Sequence, residues 1–370
     1  MKADGLWNGS FNGKESTLQQ LSPYVGKLKS GTVSALIDHF TKRGQWVCDP
    51  FAGSGVVPLQ ALLMGRRAAA SDLSIYAYCI TRGKLEAPAS YDEAMQRTAK
   101  LLKYVERNKA NYDLRSIDRW VRNFFHPLTL KETLAGFEYC LKKKDWFLAA
   151  CLCGVLHHQR PGFLSYPASH MVPYLRSQLF PKDEYPELYS YRSLAERINR
   201  KVKRAFRRSQ IHEGWSAADY EIRRCNARHL SFDAESMDFI LSSPPYYGAL
   251  DYARDNRLRL WFLGEKDWHR LDRRLTAREA IYEKQMERCL KEIYRVLKPR
   301  RYCVLVVGEF QQNGKTRDTA LVLSRLADRA TDGRLSTDCV VQDEIPDIRR
   351  SRRGTKTTRT EKFLVLYKRS

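Results

Sequence analysis

Residues 46–55 read Trp46-Val47-Cys48-Asp49-Pro50-Phe51-Ala52-Gly53-Ser54-Gly55, a short apolar strand that runs into a turn containing glycine. A helix-forming run, Leu59 to Met64, follows and is closed by Gly65 as a C-cap. Arg67 to Asp72 then predicts a second strand that ends in a carboxylate. A strand, a tight glycine turn, a helix and an acid about 20 residues on are typical of a nucleoside site, in which the acid accepts from ribose hydroxyls. A nicotinamide-dependent dehydrogenase is disfavoured because the turn lacks the G-x-G-x-x-G pattern.

A second informative stretch, Ser242-Ser243-Pro244-Pro245-Tyr246-Tyr247, follows the apolar run Met237 to Leu241. Neither proline donates a ladder hydrogen bond, so the strand must end there, at the edge where open α/β sheets bind ligands. The Ser243 hydroxyl, a free backbone carbonyl and the Tyr246 ring suit a flat ring that carries an exocyclic amino group. An ordinary Pro-Pro turn with a surface tyrosine is the simpler alternative.

Together these residues resemble the S-adenosylmethionine-dependent amino-methyltransferases of nucleic acids, the N4-cytosine and N6-adenine DNA methylase family. Ser243 to Tyr246 is similar to the family's catalytic Ser-Pro-Pro-Tyr motif, and Asp49 to Gly55 to its cofactor motif. Ser22 to Lys27 is similar to the segment that closes over the methionine end of the ligand, and Tyr252 to Gly264 to the helix after the catalytic loop. The cofactor residues that the resemblance implies are Tyr24, Lys27, Asp49, Pro50, Phe51, Ala52, Gly53, Ser54, Gly55, Asp72 and Leu73.

The resemblance implies a Rossmann-like class I α/β sheet with helices on both faces and S-adenosylmethionine as cofactor. It also implies catalysis by Ser243, Pro244, Pro245 and Tyr246. The serine form of the motif is associated with N4-methylcytosine in DNA, in a restriction-modification or defence setting that would bring a cognate endonuclease as partner. The alternatives are an N6-adenine DNA enzyme, an RNA base methyltransferase, and a catalytically silent nucleic-acid-binding protein.

The chemistry expected at this loop is direct transfer to an amine. Methylation at carbon 5 of a pyrimidine needs a cysteine nucleophile, commonly after a proline, and none of the 14 prolines precedes a cysteine. Hydrogen bonds from the amine to the Ser243 hydroxyl and the Pro244 carbonyl would aim its lone pair, and proximity would supply most of the acceleration. A base in a duplex would have to be flipped out, and stacking on Tyr246 would offset part of that cost.

The composition favours a polyanionic partner, because 65 Lys and Arg against 42 Asp and Glu give a net charge of +23. Two basic segments are candidate phosphate contacts, which position an enzyme but read no sequence. One is helical in pattern and contains Arg200, Lys201, Lys203 and Arg204; the other is a loop with Arg350, Arg352 and Arg353. A generally basic protein without a nucleic-acid partner is the alternative.

The order of elements predicts a catalytic domain formed by residues 1–90 and 216–370, with an inserted helical subdomain at 91–215 that could recognise the target. So large a gap between sheet strands is not a loop. Helical periodicity covers Tyr91–Lys109, Thr129–Lys143, Trp146–His157 and Leu194–Arg208. After the catalytic loop we expect a helix at Glu283–Leu297 that Lys298-Pro299 stops, a strand at Tyr302–Val307, and a terminal strand at Lys362–Tyr367 paired near Asp338–Gln342.

The remaining features predict a soluble, cytoplasmic protein without a membrane partner or a metal. No apolar run reaches 18 residues. The nine cysteines are scattered and are expected to be reduced. Cys151, Cys153, His157 and His158 could suggest a metal site, but residues two apart on a helix point to opposite sides.

Overall fold

The computed structural model describes residues 15–158, 162–167, 181–208, 215–245, 252–274, 281–312, 315–344 and 360–370. Its strands are β1 (Trp46–Asp49), β2 (Arg67–Ser71), β3 (Tyr220–Arg223), β4 (Met237–Ser242), β5 (Leu297–Gly308), β6 (Phe310–Gln312), β7 (Lys315–Arg317), β8 (Leu335–Glu344) and β9 (Thr360–Lys368). Its α-helices are α1 (Ser30–Phe40), α2 (Val56–Leu63), α3 (Ile75–Leu85), α4 (Tyr91–Asn108), α5 (Arg119–Arg122), α6 (Pro127–Lys143), α7 (Trp146–Leu156), α8 (Leu194–Ala205), α9 (Tyr252–Asp255), α10 (Arg257–Phe262), α11 (Trp268–Arg274), α12 (Tyr282–Val296) and α13 (Thr319–Ala330).

A seven-stranded sheet in the order β3-β2-β1-β4-β5-β9-β8 forms the centre of the protein. β1 pairs in parallel with both β2 and β4, and β9 is antiparallel between β5 and β8. The chain therefore runs outward from β1 to β2 and β3 and then returns to β4 on the other side of β1. This reversal is the topological switch point of a doubly wound sheet, where ligands bind beyond the carboxyl ends of the strands. The expected class I, Rossmann-like α/β fold is confirmed.

Successive side chains of a buried strand point to opposite sides of the sheet. Apolar side chains therefore lie on both faces, and helices cover both. Val47 and Phe239 pack with α1, α2 and α3 in one core, whereas Cys48 and Ile240 pack with α12 and α13 in the other. Every residue of β4 is buried. The strand can be apolar throughout because it has helices on both sides.

In its described residues, the segment between α3 and β3 contains five α-helices, α4 to α8. The periodicity predicts four of them, and the short helix α5 was not predicted. These helices share one continuous core with α3 and the sheet rather than forming a core of their own. One close approach is at Gly83 of α3, where an added Cβ would lie 2.6 Å from the Trp146 carbonyl oxygen of α7. A division at residues 91 and 215 stays a prediction.

The prediction around Pro299 was wrong in its boundaries. The helix ends at Val296, and β5 begins at Leu297 rather than at Tyr302. Leu297 pairs with Met237, the register then shifts, and Arg300 has a positive φ of 56°. A proline is tolerated at such a bulge because the ladder is interrupted there.

Among the described residues, no helix has both the length and the apolar character that a membrane crossing requires.

Candidate active site

An open pocket of about 970 Å³ lies at the carboxyl ends of the central strands. The turn after β1, the first residues after β2 and β4, the loop after β3, the helices α9 and α11 and the N-cap of α10 all contribute to it. Its lining residues are Tyr24, Val25, Gly26, Lys27, Leu28, Asp49, Pro50, Phe51, Ala52, Gly53, Ser54, Val56, Val57, Asp72, Leu73, Ser74, Asn226, Ala227, Ser243, Pro245, Tyr252, Ala253, Asn256 and Leu271.

Asp49 joins the two strands on either side of the switch point. The Ser242 hydroxyl, at the end of β4, donates to Asp49 Oδ1 over 2.5 Å, and the Phe51 amide donates to the same oxygen over 3.1 Å. Burial raises the pKa of the Asp49 carboxyl to about 7, although both hydrogen bonds act in the opposite direction. The Asp49 carboxylate therefore holds the β1 turn and the Ser-Pro-Pro segment together at the floor of the pocket.

Asp72 is positioned by backbone amides. The Gly53 amide donates to Asp72 Oδ2 over 2.9 Å, and the Ser74 amide donates to Oδ1 over 2.9 Å. Burial raises the pKa of Asp72 to about 6 against these hydrogen bonds. Each carboxylate oxygen has further lone pairs, so Asp72 can accept from a hydroxyl of a ligand in the pocket.

Tyr24 forms the opposite wall of the pocket. Its ring stacks between those of Tyr76 and Tyr252, with centroid distances of 5.9 and 6.3 Å. The Ser22 hydroxyl and the Tyr76 hydroxyl are 2.8 Å apart, and Tyr76 also donates to the Pro23 carbonyl. These contacts fasten the segment before α1 to α3 and keep the Tyr24 ring over the turn.

Lys27 lies on the same segment, and its Nζ donates to the Gln19 carbonyl over 3.3 Å. The Gln19 side chain in turn accepts from Lys84 Nζ over 3.0 Å. Lys84 is completely buried, and this burial lowers its pKa well below the usual value. The two lysines hold the one-turn helix Thr17–Gln20 and so support the pocket wall from behind.

Most of the predicted catalytic and cofactor residues come together in this one pocket, with two exceptions among the described residues. Pro244 is buried but does not line the pocket. Gly55 has φ 71° and is the N-cap of α2, and an added Cβ would lie 2.9 Å from the Thr81 Cα rather than face a ligand. Tyr246, Arg350, Arg352 and Arg353 lie outside the described residues.

Several lining residues were not predicted from the sequence. Asn226 and Ala227 follow β3, and the Asn226 Oδ1 accepts from the Arg228 backbone amide and side chain over 3.1 and 3.0 Å. Tyr252 and Leu271 belong to α9 and α11, beyond the catalytic loop, and Asn256 is the N-cap of α10. The end of a predicted strand was the available signal for Asn226, since ligands bind at strand carboxyl ends.

The predicted phosphate contacts of α8 differ in their surroundings. Lys201 Nζ donates to the Gln20 carbonyl over 2.8 Å, and burial lowers the pKa of Lys201 to about 8. Arg204 donates to the Gln20 side chain over 3.2 Å, and Arg200 pairs with Glu196. Lys203 is exposed. Lys201 thus acts as a packing residue between α8 and the Thr17–Gln20 helix.

The cysteines and histidines of α7 form a packed interior. Cys151 and Cys153 are both completely buried, and His157 Nδ1 lies 2.8 Å from the Ser165 hydroxyl. Within the ranges that the structure describes, no group of three or more His, Cys, Asp or Glu side chains could hold a metal ion.

Comparison with known proteins yields similarity of fold only. No family model matches the chain, and no curated protein matches it. TrmN from Thermus thermophilus is 12% identical with a TM-score of 0.37, over 96% of this chain and 52% of TrmN. An S-adenosylmethionine-dependent methyltransferase from Methanosarcina mazei is 14% identical with a TM-score of 0.36, over 90% of this chain and 97% of that one.

A third similar structure, also from Thermus thermophilus, is described as a DNA modification methylase complexed with S-adenosyl-L-methionine. It is 17% identical with a TM-score of 0.25, over 39% of this chain and 51% of that one. The chain thus spans about half the length of TrmN and of this methylase.

Proposed function

We propose that the protein is an S-adenosylmethionine-dependent methyltransferase that acts on the exocyclic amine of a nucleobase, with cytosine N4 in DNA as the target. One observation carries the proposal: Gly53, Asp72, Ser243 and Pro245 line the same pocket. A nucleoside-binding turn and a tip suited to an amino-bearing ring are thereby adjacent at the switch point of the sheet.

The pocket residues fit the cofactor. Asp72 would accept from the ribose hydroxyls, Gly53 permits close approach of the backbone, and Tyr24 and Lys27 would enclose the methionine end. When bound, S-adenosylmethionine supplies an electrophilic methyl group.

In the reaction, the residues of this chain hold the exocyclic amine of the target base in position. The Ser243 hydroxyl oxygen, which lines the pocket, accepts from one amine hydrogen and directs the nitrogen lone pair towards the cofactor side. The sequence assigns the second amine hydrogen to the Pro244 carbonyl, although Pro244 does not line the pocket in this structure. The backbone of this tip is restricted because β4 ends at Ser242 and two prolines follow Ser243. Orientation of this kind can supply a large part of a rate enhancement. The Ser242–Asp49 hydrogen bond keeps the start of the Ser243–Pro245 segment next to the turn that follows β1.

DNA is the favoured substrate because the net charge of +23 suits a polyanion and the segment after the tetrapeptide resembles DNA methylases. A restriction-modification or defence role in the cytoplasm, with a cognate endonuclease, follows from that assignment. Adenine N6 in DNA and a base in RNA are the alternatives, since the same tip would hold any exocyclic amine. A silent nucleic-acid-binding protein would retain the fold without transfer.

Mass spectrometry of nucleosides tests the proposal. DNA and RNA are incubated with the protein and methyl-labelled S-adenosylmethionine and then digested. We expect labelled N4-methylcytosine from DNA, reduced about tenfold or more by Ser243→Ala. Ser236→Ala is the matched control, because Ser236 directly precedes β4, at the end away from the pocket, and its side-chain hydroxyl donates to the nearby Asp233 carbonyl.

Each other outcome points to one alternative. N6-methyladenine without N4-methylcytosine overturns the base assignment, and label only in RNA overturns the substrate class. Cofactor binding without any label indicates a silent binding protein. Absence of cofactor binding overturns the whole assignment.

A further inference from the structure

Asp49 is a nearly enclosed carboxylate on the pocket floor that keeps one oxygen available to a ligand. The residue is only 4% exposed and lines the cavity. The Ser242 hydroxyl and the Phe51 amide both donate to Oδ1. Within the part of the chain that the structure describes, Oδ2 accepts no hydrogen bond, and it is not a fully enclosed atom. Oδ2 is therefore accessible from the cavity and can contact a bound molecule.

Among the described residues, Asp49 has no cationic partner. No ion pair or hydrogen bond joins its carboxylate to a lysine, arginine or histidine of those residues. Lys27 lines the same pocket, but its Nζ donates to the Gln19 carbonyl. Burial raises the pKa of Asp49 to about 7, and the charge of Asp72 raises it as well. A cation on a bound ligand would offset this cost of ionisation, whereas a neutral ligand would not.

Asp72, the second carboxylate of the pocket, has different surroundings. Its Oδ2 accepts from the Gly53 amide, and its Oδ1 accepts from the Ser74 amide. Backbone hydrogen bonds from Ser74, Gly53 and Leu73 all lower its pKa in opposition to burial. Both of its oxygens are thus already held by neutral donors, which suits an acid that accepts from uncharged ribose hydroxyls. Asp49 is the carboxylate of this pocket that a positive charge would complement.

Asp49 also lies between the two parts of the pocket that the proposed function uses. Asp72 follows β2, Asp49 ends β1 and Ser243 follows β4, and these strands are neighbours in the order β2-β1-β4. The hydrogen bond from Ser242 places the Asp49 carboxylate next to the residue before Ser243. A molecule that reaches from Asp72 to Ser243 must therefore pass the end of β1, where Asp49 lies.

Resting on the proposed function, we infer that Asp49 recognises the positive charge of the sulfonium and thereby distinguishes S-adenosylmethionine from its product, S-adenosylhomocysteine. The two molecules share their adenosine, carboxylate and ammonium groups. They differ in the methyl group and in the charge of the sulfur, which is an uncharged thioether in the product. Asp49 would therefore hold the cofactor more strongly than the product and favour the exchange of one for the other.

The test compares three ligands on variants of the full-length protein by isothermal calorimetry at pH 8. The ligands are S-adenosylmethionine, S-adenosylhomocysteine and sinefungin, an analogue that carries an amine in place of the sulfonium. Asp49→Asn removes the charge and keeps the shape, whereas Ser242→Ala keeps the charge and removes its hydrogen bond. Asp332→Asn is the charge-matched control, because Asp332 is exposed after α13 and asparagine tolerates its positive φ of 51°.

We expect Asp49→Asn to bind S-adenosylmethionine and sinefungin about tenfold more weakly or worse, because an opposite charge shifts a carboxyl pKa by about 1–3 units and one unit is tenfold. S-adenosylhomocysteine should bind within about twofold of its wild-type affinity. Ser242→Ala should weaken all three ligands to a similar extent, and Asp332→Asn should weaken none. Thermal unfolding confirms that each variant is folded.

A measurement on wild type tests the same inference without a variant of Asp49. A cation beside Asp49 lowers its pKa, so S-adenosylmethionine should release protons when it binds at pH 7 and S-adenosylhomocysteine should not. Calorimetry in two buffers with different heats of ionisation counts these protons. Asp72 has a pKa of about 6, so the measurement is repeated with Asp72→Asn. Tyr24 and Cys48 stay protonated, because burial raises their pKa values well above the usual ones.

An equal loss of S-adenosylmethionine and S-adenosylhomocysteine in Asp49→Asn would overturn the inference, since it would assign Asp49 to the shared ammonium group or to the structure of the turn. Unchanged affinities, or proton release with both ligands, would overturn it as well. A loss with S-adenosylmethionine but not with sinefungin would show that the methyl group and not the charge is recognised. Wild-type protein that binds none of the three ligands would instead overturn the proposed function, so the two failures are distinguishable.

Discussion

Gly53 and Gly55 lie in one turn and both have positive φ, 49° and 71°, yet an added Cβ meets different neighbours at each. At Gly53 the nearest atom is Tyr24 Cε1, 3.0 Å away, at the edge of a ring that faces the pocket. At Gly55 the Thr81 Cα of α3 is 2.9 Å away, and backbone atoms cannot yield. The first glycine shapes the pocket, and the second allows α2 to pack against α3.

Gly55→Ala should lower the free energy of unfolding by more than the 1–2 kcal/mol or so that left-handed backbone costs a residue with a Cβ. Gly44→Ala is the matched control, because its φ is 80° and nothing lies within 4 Å of the added atom. Urea unfolding of the two variants measures how much more unfolding free energy Gly55→Ala loses than Gly44→Ala. Equal losses would show that the contact with Thr81 is easily relieved.

Gly53→Ala should weaken binding of the cofactor. The Tyr24 ring would have to move, so we expect cofactor affinity to fall about tenfold, or about 1.4 kcal/mol. Isothermal calorimetry of wild type, Gly53→Ala and Gly44→Ala measures the loss. Affinity at the wild-type level in Gly53→Ala would remove Tyr24 from the cofactor wall.

The raised pKa of Asp72 predicts that cofactor affinity depends on pH. Its pKa is raised to about 6, so the carboxylate is ionised above pH 6 and gains a proton as the pH falls through that value. Protonation weakens its capacity to accept from ribose hydroxyls. Asp72→Asn should therefore weaken affinity about tenfold at pH 7.5 and much less at pH 5.

Calorimetric titration of both proteins across this pH range is the measurement. Asp49, whose pKa is about 7, titrates in both proteins, but the Asp72 charge is one of the causes that raise its pKa, so the Asp49 titration is fitted separately in each protein. A ratio that is independent of pH would contradict a role for the Asp72 carboxylate in binding.

At the scale of elements, α10 joins the pocket wall to the helical insertion. Arg259 is only 6% exposed, and its guanidinium donates to the Cys153 carbonyl over 3.1 Å and to the His157 carbonyl over 2.7 Å. These carbonyls belong to the end of α7, where the last groups of a helix lack partners within it. The same guanidinium lies over the Tyr76 ring, 5.5 Å from its centroid.

Arg259→Met should destabilise the protein by about 1.5–3 kcal/mol, the range for hydrogen bonds to charged groups. The neighbouring Arg254→Gln is exposed and should stay within about 0.5 kcal/mol of wild type. Urea unfolding measures both variants. Similar values for the two would mean that the α7 carbonyls find other partners.

At the scale of the whole molecule, the insertion and the sheet share one core, so we expect a single cooperative unfolding transition. Gly83→Ala should disturb the contact between α3 and α7, because the added atom would lie 2.6 Å from the Trp146 carbonyl. Gly136→Ala in α6 is the matched control: its nearest neighbour is a leucine methyl 3.4 Å away, and alanine favours a helix over glycine by about 0.5–1 kcal/mol.

Circular dichroism and tryptophan fluorescence should report the same midpoint for wild type and a lower, still common midpoint for Gly83→Ala. Gly136→Ala should unfold at or above the wild-type midpoint. Two separate transitions in wild type would show that residues 91–215 fold independently of the sheet.

The sequence by itself determined the features that depend on neighbouring residues. The strand, turn, helix and acid from Trp46 to Asp72 form as expected, because hydrophobic period, glycine conformations and capping act within a few residues. Two prolines end β4 for the same local reason. Since consecutive βα units must wind with one hand, these signals also determine the fold class.

Only the tertiary structure decided which distant residues meet. The Ser242–Asp49 hydrogen bond joins residues 193 positions apart, and Asn226 and Tyr252 reach the pocket from other elements. Lys201 looks like any solvated cation in the sequence, but it is enclosed between α8 and the Thr17–Gln20 helix. Such contacts depend on how separate elements pack, and packing depends on the shape of both partners rather than on either segment alone.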